Sequence, residues 1–348
     1  MSRSKTLQYY LAARLLLAPL MLWTIVTLVF FLLKATPGDP ADMFLGARAS
    51  DKTKAEFMLN LCKKQPMFCV EEPIYVQYFR YLGNLLQGNF GESITSSGKA
   101  VVTVIQENFP ATLELAIGSM IIAFVVGVAI GTIGAARPGT KSALGGRLFG
   151  IVSYSLPIFW VGMLLQLIFA VQLRIFPLGG RFPSNLTPPV KITGLYTIDS
   201  LLHFDLPSFF ASLHYLALPC LTLGVLLSGI FERIVRVNLK QSMKAEYVEA
   251  ARARGIPERK ILIAHSLKNA MIPVITVLGL TTASLLGGAV LTEVTFSWPG
   301  LASQLYEAIS SRDYPTVQGI MVFFAAIVVI ASILIDLINA WIDPRIKY

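Results

Sequence analysis

The sequence predicts an all-α membrane protein with six transmembrane helices and both termini in the cytoplasm, and three observations carry that prediction. Of its 348 residues 55% are hydrophobic and 14% charged, with a mean hydropathy of +0.65. A soluble domain carries about 25% charged residues, so this chain lacks the polar groups to cover a water-facing surface. Uncharged stretches of about 20 residues occur at 15–33, 115–136, 148–173, 206–231, 270–292 and 314–335, each long enough to cross a hydrocarbon core of about 30 Å as a helix. The basic residues are unevenly shared: residues 1–14, 137–147, 232–269 and 336–348 hold 17 of the 29 Lys and Arg and 6 of the 20 acids. The positive-inside rule therefore places those four pieces, and with them both termini, on the cytoplasmic side.

That distribution also accounts for the net charge of +9. The excess of positive charge is a topological signal facing anionic membrane lipid, and nucleic acid is excluded as a partner. The first stretch is too long for the apolar core of a signal peptide and no small-residue cleavage site follows it, so it is expected to be an uncleaved first span. Lys34 to Pro40, with Pro37, Gly38 and Pro40, reads as its stop. The chain thus divides into the N-terminus and first span (1–33), a periplasmic cap segment (34–114) and a five-helix core (115–348) whose cytoplasmic loop spans 232–269.

In the cap segment, Asp51 to Leu61 and Tyr75 to Leu86 have helical composition, and Tyr75, Tyr78, Phe79, Leu82, Leu85 and Leu86 are spaced to form one face. Gly88-Asn89-Phe90-Gly91 ends the second helix. An amphipathic cap on the outer membrane face, or a packing element holding the first two spans together, fits that pattern equally. Cys62 and Cys69 are placed to pair in an oxidising periplasm or to remain free thiols, whereas Cys220 is a small apolar filler in the fourth span. His203, His214 and His265 lack metal-ligand spacing and are given structural roles. A second outer loop, 174–205, is rich in Pro and Gly. Gly127 with Gly131, and Gly146 with Gly150, form small-xxx-small pairs that allow close helix packing. Polar residues in the spans, namely Gln166, Thr222, Ser228, Thr281 and Ser284, either line a path or bond between helices.

The six stretches hold no Asp, Glu, Lys or Arg, which the ion-coupled transporters need at depth. T-V-G-Y-G, H-E-x-x-H, G-x-S-x-G, C-x-x-C and G-x-x-x-x-G-K-[ST] are missing as well. Energy for uphill movement must then enter through a partner. The loop between spans four and five offers the docking element: Ala245 to Arg254 are good helix formers, Gly255 suits the left-handed residue that ends a helix, and Pro257 fits the first turn of the next. Ala250 and Ala251 give the short helix small side chains around which a groove in another protein could close. An interfacial helix held by basic residues on lipid head groups fits the same residues equally well.

Glu249-Ala250-Ala251, followed by Gly255 and later by Ile272-Pro273, resembles the E-A-A motif of permease subunits of bacterial binding-protein-dependent ABC importers. Further matches resemble the B-type subunit of the dipeptide, oligopeptide and nickel branch: Pro37-Gly38-Asp39-Pro40, Pro110-Ala111-Thr112-Leu113, Ser155 to Trp160, Thr193-Gly194-Leu195-Tyr196 with Ile198-Asp199-Ser200, His265 with Asn269-Ala270, Glu293 with Phe296, Pro299 and Gly300, and Asp343-Pro344-Arg345. They run from residue 14 to the C-terminus. The chain departs from the pattern over Phe57 to Glu72 and at Leu301-Ala302, which puts substrate identity in doubt more than mechanism. The resemblance implies a type I importer fold in the bacterial inner membrane. It also implies a homologous second permease as heterodimer partner, two ATP-binding subunits that hold ATP and magnesium, and a periplasmic or lipid-anchored solute-binding protein. The chain itself would then be no enzyme and carry no cofactor. Glu249, Ala250, Ala251 and Gly255 would form the ATPase-contacting core, with Arg252 and Arg254 as ionic contacts or as contacts to lipid head groups. Peptides are the expected cargo; nickel, glutathione and oligosaccharides are the alternatives within the family, and a stand-alone channel or assembly factor lies outside it.

Overall fold

The structure, a computed structural model, describes residues 3–35, 41, 45, 49–64, 72–96, 98–287 and 289–342. Among them thirteen helices follow in order: α1 (Arg3–Ala35), α2 (Asp51–Lys64), α3 (Ile74–Leu86), α4 (Val101–Ala136), α5 (Lys141–Ser155), α6 (Ile158–Gln172), α7 (Tyr196–Leu202), α8 (Leu206–Ser242), α9 (Glu246–Ala253), α10 (Glu258–Leu286), α11 (Val290–Thr295), α12 (Leu301–Ser310) and α13 (Tyr314–Ile342). The helices α1, α4, α8, α10 and α13 are long and apolar enough to cross a membrane. The helices α5 and α6 are together long and apolar enough for a further span but meet at 103°, the geometry of a broken span or of a re-entrant loop. Residues 148–173 are therefore not the single straight helix that their composition suggests. The Leu156-Pro157 junction is the cause: Pro157 excludes the helical conformation at Leu156, whose φ of −85° and ψ of 135° are extended.

The centre of the molecule is the crossing of α4 and α8. A Cβ on Gly127 would lie 2.5 Å from Phe231 Cβ, one on Gly131 2.7 Å from the carbonyl of Glu232, and one on Gly224 2.6 Å from Ile122. Absent side chains bring the two backbones into contact, and Leu115, Ala123, Phe231 and Val235 close the core around them. Cys220 fills this interface, its thiol donating to the Leu115 carbonyl over 3.6 Å. Gly146 and Gly150 serve the neighbouring contact of α5 with α4 and α8. The hydroxyls of Thr222, Ser228 and Thr281 do not bridge helices in these bonds, because each donates to a carbonyl three or four residues earlier in its own helix. Ser284 is exposed. Gln166 does bridge, donating to the carbonyls of Leu178 and Thr295.

Of the two readings left open for the second cap helix, the structure gives α3 a packing role against the first and the last spanning helices. Tyr81 and Gln77 are its buried residues, and Tyr78, Tyr81, Leu82 and Leu85 pack with Val26 and Phe30 of α1 and with Tyr314 and Val322 of α13. Tyr75, Phe79 and Leu86, read as part of the same face, are exposed. Cys62 is disulfide-bonded and Cys220 is free. Cys69, the Pro37 to Pro40 motif and the Asp343-Pro344-Arg345 motif lie outside the described residues.

The long helices also bury charges just beyond the uncharged stretches. In the N-terminal half of α4, Glu114 receives Arg181 Nε and Nη2 at 3.1 and 2.7 Å on one oxygen and the Thr197 amide and hydroxyl on the other. Arg181 also donates to the Gly194 carbonyl and stacks 3.8 Å from the centre of the Tyr196 ring. Gly194 has φ +81° and lies against Pro110 of α4, so glycine is required there for both backbone and space. Nearby, Glu293 of α11 accepts from the Thr112 hydroxyl at 2.6 Å and the Ser303 amide at 2.7 Å, while Thr112 accepts from the Leu301 amide. Two residues from other elements thus cap α12, and Trp298 adds a bond to the Ala111 carbonyl.

Asp199 anchors the loop 174–205 in the same manner. Burial pushes its carboxyl up, but hydrogen bonds from the Thr193 hydroxyl and from the amides of Thr193, Gly194 and Ile192 outweigh that and hold it below the usual carboxylate range. A depressed folded pKa contributes stability that is present at neutral pH and lost as pH falls through the lowered value. Asp199→Asn is expected to lower thermal stability at pH 7 while leaving it nearly equal to the parent at the acid end. Melting curves over a pH series check this, and a loss independent of pH would contradict it.

Candidate functional site: the segment between α8 and α10

The element between α8 and α10 is built from α9 and two tight turns. After Ser242 the chain reverses through Met243, Lys244 and Ala245, and α9 begins with Glu246 and Glu249 in its first turn, where acids favour the helix dipole. At the other end Arg254 closes the helix and Gly255 follows at φ +74°. The Gly255 amide donates to the Arg252 carbonyl at 2.9 Å and the Ile256 amide to the Ala251 carbonyl at 3.2 Å. This pair of bonds is the Schellman arrangement, which demands a left-handed residue where glycine stands. Pro257 sits one position earlier than expected, as the extended residue before α10.

One side of α9 is fixed to the body of the protein. Val248 is fully buried, and the Tyr247 hydroxyl meets the Ser242 hydroxyl, which donates to the Ser266 carbonyl at 3.0 Å. Ser266 lies in the π-helical segment Ile261–Leu267 of α10, so α9 is tied to the ends of two spanning helices at once. Below it, Leu239, Ala270 and Ala135 form a small core with Met243, Leu262 and Leu267 packed against it. A displacement of α9 must therefore move α8 and α10 together.

The other side is free. Glu249, Ala250, Arg252, Ala253, Arg254 and Gly255 are exposed and Ala251 is half-buried. The structure thus gathers every residue singled out from the sequence on one short projecting segment. Arg252 differs from the rest, because its Nε lies 2.6 Å from Glu258 and the pair braces the turn around Gly255. That hydrogen-bonded carboxylate beside it holds the guanidinium above its ordinary value. Arg254 makes no ion pair among the described residues. Sequence reasoning missed Glu258, Tyr247, Ser242 and Ser266. Arg252 and Glu258 come together only once the Gly255 reversal folds the chain back, so the turn signal itself could have suggested the pair.

A patch of small side chains on a braced, two-point lever can receive force from a partner and pass it to two membrane helices. Residues 127–348 match the family model described as the inner membrane component of binding-protein-dependent transport systems, and residues 7–116 match the model of its N-terminal region. The chain is 36% identical to a di/tripeptide transport system permease of Pseudomonas aeruginosa (97% of this chain, 98% of the relative). It is also 36% identical to a dipeptide transport system permease of Alkalihalophilus pseudofirmus (98% and 100%) and 32% identical to an oligopeptide transport system permease of Bacillus subtilis (97% and 99%). With matches over both regions and relatives covering nearly its whole length, this chain belongs to the family of multi-pass inner membrane components of binding-protein-dependent transport systems.

Proposed function

We propose that this chain is one of two homologous transmembrane subunits of an ATP-driven peptide importer, with both termini in the cytoplasm and α9 as its coupling helix. The single observation that carries the mechanism is the two-point anchoring of α9 to α8 and α10 through Tyr247, Ser242 and Ser266. ATP and magnesium bind two partner subunits, one of which receives the face of Glu249, Ala250, Ala251 and Gly255 in a cleft. Closure of the ATPases moves the coupling helices of both permeases together, and α8 and α10 follow as rigid bodies to switch the cavity between inward-facing and outward-facing states. Arg252 supports this face by bracing the turn, and Arg254 is the cation left to meet an acidic group of the ATPase. Cargo arrives on a separate periplasmic or lipid-anchored solute-binding protein. The names of relatives across three organisms favour peptides over nickel, glutathione or oligosaccharides.

Mild extraction of a tagged chain from its native membrane, after cross-linking, tests the assembly. A second polytopic chain and P-loop ATPases should be recovered with it, and the accompanying binding protein should bind di- or oligopeptides rather than nickel in a direct titration. A cross-linked sample that still holds this chain alone would overturn the importer reading in favour of a stand-alone channel.

A further inference from the structure

Two adjoining cavities lie where α5 meets the cytoplasmic half of α8, apart from the coupling element. The first, of about 380 Å³, is bounded by Thr140 at the start of α5 and by Lys141, Arg147, Arg236 and Lys240. The second, of about 490 Å³, shares Arg147 and Arg236 with it and continues between Ile151 and Tyr154 of α5 and Ile230 and Ile234 of α8. Of these four cations only Arg236 has an acidic partner among the described residues, Glu232 at 2.6 Å. Four like charges around one cavity, beside the positive end of a 15-residue helix, create a positive potential that attracts an anion. The shared arginines join the two cavities into a single slot, basic at one end and mixed at the other, where Ile151, Tyr154, Ile230 and Ile234 stand beside Glu232 and Arg233.

A further group points to the occupant. Glu232 is 1% exposed, its Oε1 is taken by Arg236, and its Oε2 has no hydrogen-bond partner although it borders the second cavity. Gly150 is what admits that oxygen, since a Cβ there would lie 2.6 Å from it. A buried carboxylate oxygen without a partner is costly and calls for a donor. The required ligand therefore carries an anionic phosphate, a hydroxyl donor close to it and an apolar chain.

We propose that the cytoplasmic ends of α5 and α8 hold one anionic phospholipid, its phosphate among Lys141, Arg147, Arg236 and Lys240. A headgroup hydroxyl meets Glu232 Oε2, and an acyl chain lies along Ile151, Tyr154, Ile230 and Ile234. Basic slots between spanning helices on the cytoplasmic side suit such headgroups, and the assignment of that leaflet rests on the orientation proposed above. A phosphatidylglycerol bound here would fasten α5 to α8 beside the lever, so lipid composition would act on the same helices that α9 moves.

The test uses the assembled transporter in nanodiscs of phosphatidylcholine with a minority of phosphatidylglycerol, which present both leaflets and make the result independent of orientation. After stripping with detergent, native mass spectrometry should find phosphatidylglycerol retained over phosphatidylcholine. Arg147→Gln with Lys240→Gln should weaken that retention by about 30-fold, as removal of two surface cations from a headgroup implies. Arg259→Gln with Lys260→Gln removes equal charge from the same side and should leave it unchanged. Added inorganic phosphate should not displace the lipid, because it gains nothing from the apolar groove. Equal retention of both lipids, equal loss in the two double variants, or displacement by inorganic phosphate would each overturn the proposal, the last in favour of a soluble phosphate ester.

Discussion

Arg181→Met is expected to lower stability by about 3–5 kcal/mol, because it leaves the buried Glu114 carboxylate without its counter-charge. The side chains of Arg181 and Glu114 are 7% and 4% exposed, so water cannot replace the lost partner. Glu114 Oε1 would keep its two bonds from Thr197, while Oε2 would lose both of those from Arg181. The Gly194 carbonyl and the Tyr196 ring would lose the guanidinium as well, and the outer loop would come away from α4. A drop of roughly 4–7 °C in the melting temperature of the detergent-solubilised protein corresponds to that energy for a chain of this size. Glu114→Gln combined with Arg181→Met should recover more than half of the loss, since breaking a buried pair costs far more than removing both charges. Equal losses in the single and double variants would show that packing, rather than the stranded charge, sets the effect.

That pair also shows where the sequence stops being readable. Glu114 borders an uncharged stretch and Arg181 lies in a loop 67 positions away; no local signal links them, and a count of charges within the spans passes over both. Glu232 escaped for the same reason, standing one residue past Phe231 in a helix that runs on to Ser242. Elements governed by local chemistry were legible. Gly255 and Pro257 predict the helix, reversal and second helix found at α9 and α10, and five of the six apolar stretches fall in helices long enough to cross, the other in the bent pair α5 and α6. The Leu156-Pro157 bend was written in the dipeptide but hidden by its setting, because composition measures whether a segment prefers lipid and says nothing about its dihedral angles. For α3 the periodicity gave the helix and half of its packed face: Tyr78, Leu82 and Leu85 do pack, Tyr75, Phe79 and Leu86 are exposed, and Tyr81, whose ring stacks on Phe30, is not in the set predicted for that face. Small residues told the same story at both scales, with Gly127 and Gly131 marking a close helix crossing and Ala250 and Ala251 marking a face left open. Only burial separates those two uses.

Gly255→Val is expected to reduce uptake by more than about tenfold while leaving membrane insertion intact. A built Cβ at Gly255 meets nothing within 4 Å, so the penalty arises in the backbone alone. At φ +74° an ordinary L-residue pays about 1–2 kcal/mol, and a β-branched one more. A helix of eight residues has little cooperative reserve, and relaxing Gly255 breaks the Ile256–Ala251 and Gly255–Arg252 bonds and parts Arg252 from Glu258. Because asparagine tolerates the left-handed region, Gly255→Asn should retain more uptake than Gly255→Ala, and Ala more than Val. If a partner's surface instead pressed against the bare Cα, asparagine would fail as badly as valine, so the order of the three separates a conformational role from a contact role. Ala251→Asp addresses the contact itself: it keeps the turn but forces a charge into the docking cleft, and uptake should fall to background with the chain still inserted. Normal uptake by Ala251→Asp would remove α9 from the coupling pathway, even if the Gly255 series behaved as expected. The two variants together thus distinguish a lever that is misshapen from one that is correctly shaped but cannot be gripped.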